Sequence, residues 1–250
     1  VNTQIPIYGF ICAAFAGALL SIIFAILTQY MMSNQVATGL GLTMVGLGLS
    51  ALIGKPYEGI KSPTLTKLEI PILSDIPILG PMIFSHDAIV YFSIFIIASV
   101  AFIIKKTRIG LILRAVGENQ DAAHALGYKV IRIRFIAIMF GGATAGIGGA
   151  YISLARVPQW TEGMTAGAGW IALALVVFAS WKPWRVLVGA YLFGGITVLQ
   201  LNLQAIGVAI PVEILSMSPY LVTIVVLVGI SLFGHQTAPG SLARPFHASQ

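Results

Sequence analysis

The sequence predicts an all-α protein, a polytopic transmembrane helical bundle of about seven apolar segments. Three observations predict it. Hydrophobic residues make up 58% of the 250-residue chain and charged residues 9%, with a mean hydropathy of +0.94. A soluble domain carries roughly 25% charged residues. The charges also cluster: none precedes Lys55, and uncharged runs separate Asp87 from Lys105, Arg134 from Arg156, Glu162 from Lys182, Arg185 from Glu213, and Glu213 from Arg244. Most of these runs reach the roughly 20 apolar residues that a helical span needs. A chain of this size has too small an interior to hide so much apolar surface, so the excess faces lipid.

The segments run over about 7–28, 36–54, 87–104, 135–155, 168–181, 186–206 and 216–234. The uncharged first 54 residues hold the first two. The fifth is short and reads as a broken or tilted helix. Two polar connections interrupt the series: 55–86, rich in Pro, Lys, Glu and Asp, and 105–134, strongly basic. Residues 1–250 read as one transmembrane domain.

Orientation follows from the tendency of Lys and Arg to stay on the cytoplasmic side. The 105–134 connection holds Lys105, Lys106, Arg108, Arg114, Lys129, Arg132 and Arg134 against Glu118 and Asp121, so it is placed inside. Alternating crossings then put 55–86, Arg156–Glu162 and Glu213 outside, and Lys182, Arg185 and the Arg244 tail inside. Ten Lys/Arg fall inside and four outside, against two acids inside and six outside. This holds provided 168–181 crosses. The net charge of +6 thus follows from topology, without a nucleic-acid partner.

Small residues recur at helical spacing: Gly141, Ala145 and Gly149 on one face, with Gly142, Gly146 and Ala150 beside them. Such rows let helix backbones approach closely in lipid. They serve static packing or a moving contact, and Gly39, Gly41, Gly194 and Gly195 are open to the same two readings. Trp160, Trp181 and Trp184 fall near span ends, where indoles anchor at the interface.

Catalysis needs a nucleophile with a base, a carboxylate pair or a metal cluster, and the spans hold none. His86, His124, His235 and His247 lie in loops or the tail, and no acid sits deep in an apolar run. The lone Cys12 excludes an intrachain disulfide or a thiolate metal site. A phosphate-binding loop needs Gly-x4-Gly-Lys-Ser/Thr. Gly48 to Gly54-Lys55 has five intervening residues and Pro56 where the hydroxyl belongs. The chain is therefore expected to be no enzyme and to bind no cofactor itself. It opens Val-Asn-Thr, without an initiator Met or a basic leader region, so upstream sequence is expected.

The basic connection is the most informative segment. Asn119 suits an N-cap, and Asp121 the first turn. Ala122, Ala123, Ala125 and Leu126 continue a helix of about two turns, which Gly127 closes. A helix so short is marginal alone, so it is either a solvated connector or a docking element.

Here the sequence resembles a family. Asp121-Ala122-Ala123-x3-Gly127 is similar to the EAA-x3-G coupling loop of ABC importer permeases, with Asp for Glu. The preceding Arg114-Ala-Val-Gly117-Glu118-Asn119 resembles the branched-chain amino acid and simple-sugar permease group. Three stretches resemble its nucleoside and simple-sugar branch: Ser33-Asn-Gln-Val36 leading into Gly39-Leu-Gly-Leu, Phe140-Gly-Gly-Ala with Gly148-Gly-Ala-Tyr151, and Gly163-Met-Thr-Ala-Gly-Ala-Gly-Trp170. The resemblance covers about 15–235 and implies further N-terminal spans, whose usual Gly-rich stretch is not in this sequence.

It implies a permease subunit in a bacterial inner membrane, translocating a nucleoside or simple sugar by alternating access. The implied partners are a second permease subunit, an extracytoplasmic binding protein or lipoprotein, and an ATPase subunit that carries ATP and Mg. Gly117, Glu118, Asn119, Asp121, Ala122, Ala123 and Gly127 would couple to that ATPase, and the C-terminus would be cytoplasmic. Asn34, Gln35, Thr38, Thr43, Trp160, Trp170, Gln200, Asn202 and Gln204 are candidates for the solute pathway. Their polar groups equally suit bonds between helices. Branched-chain amino acid transport and an ATP-independent channel or facilitator are the alternatives.

Overall fold

The computed structural model describes residues 5–63, 65, 67–69, 85–165, 167–207, 210–233 and 238–246. Most of the 55–86 connection, with Asp75, and His235 and His247 lie outside the described residues.

Each of the seven apolar segments forms a helix. They are α1 (Pro6–Ala25), α2 (Gln35–Gly54), α3 (Ala88–Lys106), α6 (Val130–Tyr151), α7 (Ala168–Phe178), α8 (Pro183–Ala205) and α9 (Val212–Phe233). Between α3 and α6 lie two more helices, α4 (Arg108–Glu118) and α5 (Gln120–Ala125). The only strands among the described residues are β1 (Lys67–Glu69) and β2 (Ser85–Asp87), paired antiparallel with Leu68 opposite His86. Wider π-helical turns extend α1 over Ile26–Tyr30 and α6 over Ile152–Arg156.

With those extensions α1 reaches 25 residues and α6 reaches 27, and α2, α3 and α8 are also long and apolar enough to cross a bilayer. At most 11% of the most apolar window of any of the five is buried by protein. Such outward-facing Leu, Ile and Phe side chains are what lipid contact requires. The chain is a multi-pass membrane protein.

Contacts divide it into two compact units. The first comprises Val1–Phe92, Ile112–Ala166 and Gly240–Gln250. Its axis is the antiparallel pair of α1 and α6. A Cβ added at Gly17 would collide with the Gly142 carbonyl oxygen, and one at Gly146 with that of Ala13. Gly142 and Gly146 are therefore in close contact with α1, whereas Gly141, Gly148 and Gly149 have open space. At one end of this unit Tyr30 meets Phe135 edge-on, ring centroids 6.5 Å apart. At the other end Glu58 and Lys61 bridge to Trp160 and Gln159, and the Tyr151 hydroxyl donates to Asp87 Oδ2 at 3.3 Å. The 55–63 and 157–160 segments thus share an end, as the charge distribution predicts.

The second unit, Ser93–Leu111 and Gly167–Pro239, packs α7, α8 and α9 together. Gly189 admits Phe178, whose ring carbons would lie 2.7 Å from a Cβ there. Phe193 and Tyr220 meet edge-on at 6.3 Å.

Candidate functional site

The basic connection is not a plain loop. Ile109, Ile112, Leu113 and Val116 share one side of α4, turned away from Arg114, so it forms an amphipathic helix. The chain then turns at Asn119, which is extended at φ −144°, and α5 begins. Asn119 Oδ1 accepts from the Asp121 and Ala122 amides at 3.1 and 3.0 Å, satisfying two of the donors a helix start leaves open.

The C-terminus of α5 is closed in the same way. Gly127 takes φ +87° and donates to the His124 carbonyl at 2.8 Å, while Tyr128 N–H reaches back to Ala123 O at 3.2 Å. This pair of bonds is a Schellman closure, whose left-handed position favours glycine. Six residues are too few for a helix to persist on propensity. Capped ends and a buried side hold this one.

Its buried side is Gln120 and Ala123. Ala123 joins Val116, Val130 and Phe246 in a small core, flanked by Ile112, Ile131 and Ile133. The other side of α5 is open. Asp121, Ala122 and Ala125 are exposed, and the next residue, Leu126, is 76% exposed. Of the residues singled out by sequence, Glu118, Asp121, Ala122 and Gly127 lie on the open side. Asn119 caps, Ala123 faces the core, and the Gly117 carbonyl accepts from Ser241 N–H at 2.9 Å.

Sequence reasoning missed α4 and the C-terminal contact with α5. The available signal for the latter was Pro245-Phe246, an apolar pair in an otherwise polar tail.

A cavity of about 730 Å³ lies toward the opposite end of the first unit. α1 contributes Gly9 and Ala13, α2 contributes Thr43 and Ser50, α6 and its extension contribute Gly149 and Ser153, and Trp160–Thr165 closes one side. Trp160 lies directly over Gly54, where a Cβ would overlap the indole. Of the pathway candidates, Thr43 and Trp160 line this space. Asn34, Gln35 and Thr38 stand at the start of α2 and do not line it. Asn34 Oδ1 is occupied by the Val36 and Ala37 amides at 3.0 Å each, and Thr38 shares a 2.7 Å hydrogen bond with Ser33. In the second unit Trp170 is exposed on α7, Gln200 and Gln204 are half-buried on α8, and Asn202 Nδ2 donates to Val198 O at 2.9 Å.

No solved structure matches this chain. Three relatives do. An ABC transporter permease protein of Haloferax volcanii, named provisionally for glucose, is 36% identical over 241 residues, covering 88% of this chain and 73% of the relative. The guanosine ABC transporter permease protein NupQ of Bacillus subtilis is 34% identical, covering 96% and 77%. The nucleoside ABC transporter permease protein NupC of Lactococcus lactis is 31% identical, covering 90% and 74%. Residues 1–231 match the family described as branched-chain amino acid transport system, permease component, and the chain belongs to that family.

Proposed function

We propose that this chain is the membrane-spanning permease subunit of an ATP-driven importer for a nucleoside or simple sugar. Its place in the cell membrane is multi-pass, with the 105–134 connection and the C-terminal segment cytoplasmic. A partner ATPase, holding ATP and Mg, docks against the open side of α5. A second permease subunit completes the pathway, and an extracytoplasmic binding protein delivers solute. ATP binding and hydrolysis then shift the pathway between outward-facing and inward-facing arrangements.

The observation that carries this reading is α5 itself. It is a six-residue helix fixed at both ends and along one side, presenting Asp121, Ala122, Ala125 and Leu126 to solvent. A connector with no partner needs no such construction. The solute class is supported by the names of the relatives, given for guanosine, nucleosides and glucose. The family description speaks of branched-chain amino acids, so leucine uptake is the control.

The test is co-purification from detergent, paired with uptake assays in cells. The wild-type chain brings down an ATPase subunit and supports nucleoside or sugar uptake that stops on ATP depletion. The double variant Asp121→Lys, Gly127→Pro inserts normally but loses both. Uptake that survives ATP depletion would replace the importer with a facilitator, and leucine uptake in place of nucleoside or sugar would move the substrate class.

A further inference from the structure

The C-terminal segment Gly240–Phe246 comes from more than 110 residues away in the chain and closes over the inner side of α5. Ser241 ties three elements at once. Its N–H donates to Gly117 O at the end of α4, its Oγ accepts from the Gln120 amide at 3.1 Å, and its carbonyl accepts from Arg134 Nη2 on α6 at 2.9 Å. The Gln120 amide is the first donor of α5, which Asn119 leaves unsatisfied. Ser241 therefore completes the N-terminal cap.

Further contacts fix the rest of the segment. Gln120 Nε2 donates to Pro245 O, and Arg134 Nη1 to Arg244 O, each at 2.9 Å. Phe246 is 5% exposed, packs in the core with Ala123, and meets the His124 ring edge-on at 5.2 Å. Gly240 passes so close that a Cβ would lie 2.6 Å from the Glu118 carbonyl oxygen. Two capping bonds and a tail thus do for α5 what a longer helix would do through its own hydrogen bonds.

We propose that Gly240–Phe246 is a positioning strap for α5, so that capture of the partner ATPase depends on Ser241, Phe246 and Arg134, which lie outside the open side of that helix. The proposal rests on the docking reading above. Removing the strap leaves Asp121, Ala122, Ala125 and Leu126 in the chain but lets the helix fray, lowering the fraction of molecules able to dock.

The test reads the strap and the docking separately. Amide hydrogen exchange is followed over residues 119–128 of the full-length permease in nanodiscs, without ATPase. ATPase recovery is measured on the same variants. Phe246→Ala is expected to speed exchange in α5 about tenfold, as local opening becomes easier, and to cut ATPase recovery by about the same factor. The α8 amides keep their wild-type rates, and Phe246→Leu restores both readouts. Ser241→Ala, which removes only the hydroxyl acceptor, gives a smaller change in the same direction and serves if Phe246→Ala does not accumulate. Unchanged exchange in both variants overturns the strap, whatever the ATPase does. Faster exchange with full ATPase recovery overturns its part in docking. Asp121→Lys supplies the separate control: if it retains the ATPase while exchange responds to Phe246→Ala, the docking reading has failed and the strap has not.

Discussion

Gly127 shows how much one backbone angle carries. It sits at φ +87°, yet a Cβ there would touch nothing within 4 Å. Replacing it with Ala therefore costs only the left-handed conformation, roughly 1 kcal/mol. Spread over a helix of six residues, that shifts the docking-competent fraction by about fivefold. Gly127→Ala is expected to weaken ATPase affinity by about that factor in a titration, and Gly127→Asn by less, since Asn tolerates this conformation. Gly54 is the opposite case. Its backbone is ordinary, but Trp160 fills the space beside it. Gly54→Ala is expected to push the indole from the cavity wall and raise KM for uptake severalfold. Gly41→Ala, with open space around it, should leave KM at its wild-type value. Asn119 and Gly127 were readable as caps because capping is local chemistry, decided within four residues. The third cap bond, from Ser241, was not readable, because periodicity carries no information about a partner 121 positions away.

At the scale of elements, apolar runs bounded by charges mark helices directly, and all seven formed. What such runs do not reveal is which side of a helix meets protein. The Gly141 and Gly142 rows are equivalent in sequence, and only the second lies against α1. Gly142→Val or Gly146→Val would drive side-chain atoms into the backbone of α1, which has no rotamer to change. Overpacking of this kind costs about 1–3 kcal/mol. A clear drop in the melting temperature of the detergent-purified protein is expected for both, and none for Gly141→Ala or Gly148→Ala. A uniform response across the four would mean that this helix pair is not the close contact. The amphipathic α4 escaped notice for a related reason. Its charges, Arg108, Arg114 and Glu118, mark a polar connection, and the apolar positions among them form no uncharged run long enough to stand out.

For the whole chain, the strap also bears on how many times the polypeptide crosses the bilayer. Helices α6, α7, α8 and α9 lie between α5 and the C-terminal segment, and that segment packs on α5. Both ends of the stretch are therefore on one side of the membrane, and the number of crossings between them is even. α6, α8 and α9 have 22 residues or more, and if each crosses once they account for three. An even count then asks α7 for the fourth, although its 11 residues rise only about 16 Å of a hydrocarbon layer about 30 Å thick. A crossing this short needs non-helical backbone for the remaining depth, which is tolerated where it borders a cavity or protein. The fifth apolar segment is then expected to cross as a short, broken helix. A Cys12→Ser background with single cysteines at Glu162 or Lys182 tests this. In intact cells an impermeant thiol reagent is expected to reach position 162 and to reach position 182 only after permeabilisation. Labelling of both from outside would make α7 a re-entrant hairpin arm, move Lys182 and Arg185 to the outer face, and leave the crossing count odd, against the packing of the strap on α5.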